Sequence, residues 1–139
     1  MKHPVVASIL SLVIGMLVVM GIETLSHILY PLPFTPTMEN LQEYTSQIPV
    51  EGMLLVIVAH LLGGFAAVFS VLKLAQNKVA AYVVSVLFFI ATISNLFLIP
   101  HPVWFTITDV LATILGLFIA FKLVNLKKEM DEEITPQEQ

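Results

Sequence analysis

The 139-residue chain has no cysteine and no arginine, and only 12% of it is charged. Without cysteine there is no disulfide framework and no thiolate ligand for a metal. All six basic residues are lysine, so there is no guanidinium fork for phosphate or nucleic acid, and no nucleic-acid partner is expected. An ordinary globular sequence is about a quarter charged. Here 58% of the residues are hydrophobic and the mean hydropathy is +0.93. A soluble chain of one-domain length cannot bury that much apolar surface. The lipid bilayer is the partner this composition fits.

Four apolar runs stand out, over residues 5–22, 53–74, 79–99 and 103–124. The first continues as a helix toward Tyr30, where Pro31 and Pro33 stop it. Each has roughly the 20 residues needed to cross a hydrocarbon core of about 30 Å. In lipid such segments are helical, because no water is available to bond the backbone. Lys2 before the first run resembles the start of a signal peptide, but the run is longer than an h-region and no A-x-A site follows. It reads as an uncleaved span. Residues 1–126 form the transmembrane domain, and 127–139 an acidic, disordered cytoplasmic tail.

The connections differ in length. Gln76-Asn77-Lys78 and Pro100-His101-Pro102 make tight turns, whereas residues 32–50 join spans one and two. In that loop Thr35-Pro36 is placed to cap a short interfacial helix running to about Tyr44. Lys2, Lys73, Lys78, Lys122, Lys127 and Lys128 all fall on one side of a four-span topology. The positive-inside rule then puts both termini in the cytoplasm of a multi-pass cell-membrane protein. Tyr30 and Trp104 anchor the outer interface, and Tyr82 the inner one.

Small residues recur every fourth position as Ala7-Ser11-Gly15, Ala59-Gly63-Ala67 and Ala112-Gly116-Ala120, with Ala81 and Ser85 on span three. Such stripes let helix backbones approach closely. They predict an all-α, antiparallel four-helix bundle in which short turns make consecutive spans neighbours. A homo-oligomer or larger membrane complex would use the same kind of face.

The ionisable residues within the spans fall at matching depth. At 1.5 Å per residue, Glu23 lies about 10 Å and His27 about 5 Å below the outer end of span one. His60 lies about 12 Å into span two, Asn95 about 7 Å into span three and Asp109 about 9 Å into span four. A charge at the bilayer centre costs about 2.5–3.5 kcal/mol, so these groups are expected to turn inward and satisfy one another. Glu23 and His27 are i, i+4 neighbours, with Met16, Met20 and Tyr30 roughly in line. Thr106, Asp109, Thr113 and Gly116 share a face of span four, and Ser85, Phe88, Thr92 and Asn95 a face of span three. Glu51, His101 and Trp104 lie at the rim.

This polar layer has three readings. It can be a hydrogen-bonded core that fixes register, belonging to a non-enzymatic accessory protein or a small-molecule or lipid-binding module. It can be a metal site, in which Glu23, His27, His60 and Asp109 offer N and O ligands suited to Zn or Fe and to hydrolysis. It can be a proton-coupled transport site; small multidrug transporters also use four short spans and a carboxylate in the first, although Glu23 lies near the end of its span rather than midway.

Three strings, Glu23-Thr-Leu-Ser-His27-Ile-Leu-Tyr30-Pro31-Leu-Pro33, Ile48-Pro49 opening a span that carries Ala59-His60 and Gly63-Gly64, and Asn95-Leu-Phe-Leu-Ile-Pro100-His101-Pro102-Val-Trp104-Phe105, lie along the outer rim. Their arrangement resembles a group of small four-span bacterial membrane proteins with no assigned reaction. The resemblance covers Pro4 to about Val124. It implies a topology in a bacterial inner membrane and no mechanism.

Overall fold

The computed structural model describes residues 3–134, among which there are five helices. They are α1 (Pro4–Leu29), α2 (Leu41–Gln47), α3 (Val50–Ala75), α4 (Lys78–Leu98) and α5 (Val103–Ile134). No strand occurs among the described residues. α1, α3, α4 and the first part of α5, Val103–Asn125, are long and apolar enough to cross a membrane. They form an antiparallel, all-α membrane bundle.

Local chemistry sets the ends of these helices. Pro4 opens α1, where its missing N–H costs nothing. The helix closes at Tyr30, whose N–H donates to the Ser26 carbonyl at 2.9 Å before Pro31. α3 ends in a left-handed residue, Gln76 (φ 50°), and the Asn77 side chain then caps α4 by accepting from the Ala80 N–H.

α3 is the hub. It packs most extensively on α1, then on α5, and less on α4, while α1 and α5 do not pack on each other. α4 and α5 share the smallest helix contact although only four residues separate them. Consecutive spans are all in contact, as short turns implied, but to very different extents; the small-residue stripes mark where the packing is closest. Ala7, Ser11 and Gly15 are buried on α1, and Ala59, Gly63 and Ala67 on α3. A Cβ on Gly15 would sit 2.7 Å from Ala67 Cβ and 2.8 Å from the Gly63 carbonyl oxygen. On α5, a Cβ on Gly116 would run into the backbone of Leu61. Large side chains would push these pairs apart, so the glycines position α1 and α5 on opposite flanks of α3.

The half of the bundle near Gln76 is apolar, with Val68, Val71, Val84, Phe88 and Ala120 in its core. At the other end, which carries α2, the core shrinks to Met53, Ile57 and Phe105, and polar groups fill the rest.

Two sequence expectations change. The short helix begins at Leu41, not at Thr35-Pro36, and runs to Gln47. The Asn40 side chain accepts from the Thr37 N–H at 2.6 Å and donates to the Thr35 carbonyl at 3.2 Å. Those bonds hold the preceding segment as a turn and delay the helix. At the C-terminus, α5 continues to Ile134 although disorder was expected from Lys127. The added sequence is rich in Lys and Glu, which propagate a helix already nucleated by the span. The rest of the expected tail, 135–139, lies outside the described residues.

Candidate functional site

The polar layer divides into a buried pair and an open cavity. Asp109 is fully buried on α5, and His60 on α3 is 5% exposed. The His60 Nδ1–H donates to both carboxylate oxygens, at 2.8 and 2.9 Å. A buried carboxylate without a partner would be expensive, so the imidazole belongs to its folding as much as to any chemistry. With Nδ1 committed, Nε2 is the ring nitrogen of His60 that remains for a ligand. Thr113, one turn further along α5, is buried with its hydroxyl unpartnered.

Glu23 and His27 do not pair with each other as their i, i+4 spacing suggested. The His27 Nδ1 instead meets the Tyr44 hydroxyl of α2 at 3.2 Å. Tyr44 is buried, and Phe34 packs edge-on against it. α2 thus reaches the bundle through side chains. Ser26 on α1 donates to the Gly52 carbonyl of α3 at 3.2 Å and closes the same corner. Glu23 and the Asn95 amide have no hydrogen-bond or ion-pair partner among the described residues.

Two cavities meet at these unpartnered groups. The first, about 240 Å³, lies at the α2 end and is lined by Glu23, His27, Tyr30, Tyr44, Asn95 and His101, with apolar side chains between them. The second, about 440 Å³, is a groove with α1 and α4 as its walls and His60 of α3 in its floor. Leu12, Met16, Val19, Met20, Leu87 and Ala91 make it apolar. Glu23 and Asn95 line both. Because the groove runs alongside spanning segments, its open side faces hydrocarbon.

His101 joins the layer from the rim. Its Nδ1–H donates to the Ile99 carbonyl at 2.7 Å, and its ring stacks on Phe105 at 4.5 Å. Burial pushes its pKa below the ordinary imidazole value, against the opposing pull of the Ile99 carbonyl and the Asp109 charge. The ring is therefore neutral, and Nε2 offers a lone pair. Glu51 is exposed in the first turn of α3 and lines neither cavity. Trp104 is 40% exposed and touches the site only through Phe105, edge-on at 6.0 Å.

Glu23, His27, His60 and Asp109 are not gathered into one ligand set. Among the described residues no three His, Asp or Glu side chains converge on a point that could hold a metal ion. The His60 N–H shared by both Asp109 oxygens and the single His27–Tyr44 hydrogen bond separate the donors. Tyr44 was missed in the sequence, where it marked only the end of the loop helix; nothing in the local pattern signals that it folds back onto His27.

Comparisons with family models, with curated proteins and with solved structures find no match for this chain. The geometry of the site therefore carries the functional argument alone.

Proposed function

We propose that this protein is a non-enzymatic membrane module that binds a single amphiphilic molecule, a lipid or a small apolar compound with one polar end. The polar end occupies the cavity beneath α2, and the chain lies in the groove between α1 and α4. One observation carries this reading: the side chains of Glu23 and Asn95, which have no hydrogen-bond or ion-pair partner among the described residues, line both spaces. A molecule crossing from one to the other would bond the polar groups and cover the apolar walls together. From Leu12 to Glu23 the groove follows α1 for about 16 Å at 1.5 Å per residue, enough for an extended alkyl chain. The lysine asymmetry supports a cell-membrane location with both termini cytoplasmic, so that α2 and the cavity lie on the outer side.

The test is to extract the protein gently and measure bound amphiphile by native mass spectrometry. One molecule per chain is expected in the wild type. Ala91→Trp, which places an indole in the groove, is expected to abolish retention while helical content stays unchanged. Equal retention by Ala91→Trp, or no bound or saturably acquired amphiphile in the wild type, would refute the reading.

A further inference from the structure

The groups that line the head cavity are unevenly matched. Glu23 supplies a carboxylate without an ion-pair partner, and the neutral His101 supplies a bare Nε2 lone pair because its Nδ1–H is spent on Ile99. His60 cannot neutralise Glu23 in full, because it already holds Asp109. No lysine lines either space, and the described lysine side chains, Lys73, Lys78 and Lys122, all sit at the opposite end of the bundle. The sequence has no arginine to take their place. Tyr30, Tyr44 and His27 also line the cavity. Acceptors, a carboxylate with no hydrogen-bonded or ion-paired partner and aromatic rings disfavour a phosphate or carboxylate head. They are the groups that recognise a positively charged nitrogen.

Resting on the amphiphile reading above, we propose that the polar end of the ligand is an ammonium group, so that the site selects alkylammonium amphiphiles. The N–H donors engage the Glu23 carboxylate, the Asn95 carbonyl oxygen and His101 Nε2. The tyrosine rings cover the charge, and the alkyl chain leaves through the groove past Met20 and Ala91. The ligand then supplies the close ion-pair partner that Glu23 lacks among the described residues.

Three probes of one chain length separate the possibilities: dodecylamine, dodecanol and dodecanoate. Each is titrated calorimetrically at neutral pH into the full chain in phosphatidylcholine nanodiscs, with empty nanodiscs subtracted. Dodecylamine is expected to bind at least about tenfold more tightly than dodecanol, the worth of one charge-assisted bond, and dodecanoate more weakly still. Glu23→Gln is expected to weaken dodecylamine by about tenfold and leave dodecanol within about twofold. Asn95→Asp, which adds a carboxylate, is expected to tighten dodecylamine alone, and it keeps the test valid if Glu23→Gln does not fold. Dodecanol or dodecanoate binding as tightly as the amine, or an amine affinity indifferent to both substitutions, overturns the ammonium assignment and leaves the groove as a chain site. No saturable binding of any probe overturns the amphiphile reading itself, and this assignment with it.

Discussion

His60 and Asp109 are 49 positions apart in sequence, yet one imidazole N–H is shared between both oxygens of one buried carboxylate. The pair ties α3 to α5 at the level where the apolar core gives way to polar groups. It fixes the tautomer of His60 and directs the remaining ring nitrogen away from α5.

Removing one partner strands the other. His60→Ala leaves the Asp109 carboxylate buried without a donor and is expected to cost about 3–5 kcal/mol. Asp109→Asn keeps an acceptor for the Nδ1–H and is expected to cost less. Unfolding in mixed micelles titrated with a denaturing detergent measures both. A His60→Ala protein as stable as the wild type would show that the pair does not anchor α5.

The glycines make a paired prediction. Gly116→Ala forces a methyl group against the Leu61 backbone, and such overpacking costs about 1–3 kcal/mol. Gly21 has open space where its Cβ would be, so Gly21→Ala is expected to be neutral or to stabilise by up to about 1 kcal/mol through helix propensity. The same unfolding titration ranks them; equal effects would contradict the close α3–α5 approach.

His101 gives the fold a pH dependence. Its folded pKa is depressed by burial below the unfolded value, so the unfolded chain binds the proton more readily. The stability owed to the neutral ring is present above the ordinary imidazole pKa and is lost as pH falls through that value toward the folded one. His101→Phe preserves the stack on Phe105 and removes the proton. Its melting temperature relative to wild type is therefore expected to rise as pH falls from 7.5 to 5. A constant difference across that range would mean that the ring is not held neutral.

Orientation can be read chemically, because the chain has no cysteine of its own. Met38, 88% exposed in the loop before α2, and Lys78, exposed at the start of α4, lie at opposite ends of the bundle. In intact cells a membrane-impermeant maleimide is expected to label Met38→Cys and to reach Lys78→Cys only after permeabilisation. The opposite pattern would invert the topology, and labelling of both would break the four-span arrangement.

The spans were legible in the sequence because the bilayer dictates their length and composition. The stripes were legible because fourth-position spacing of Ala7, Ser11 and Gly15 is a property of one helix. Partnership was not. Glu23 and His27 share a face, but a shared face only permits a contact, and Tyr44 from another helix took His27 instead. His60 had two carboxylates at matching depth. Only the packing of Gly116 on Leu61, which fixes α5 against α3, selects Asp109 over Glu23. The loop misled for a similar reason: Pro36 is a good first helical residue, but Asn40 bonds the backbone before it and a turn wins.

The groove between α1 and α4 opens sideways rather than toward water. A molecule entering there exchanges with the surrounding bilayer, in two dimensions. Occupancy would then follow the mole fraction of that molecule among the lipids and not its aqueous concentration. A compound almost insoluble in water could fill the site, while a freely soluble one with no chain would pass it by.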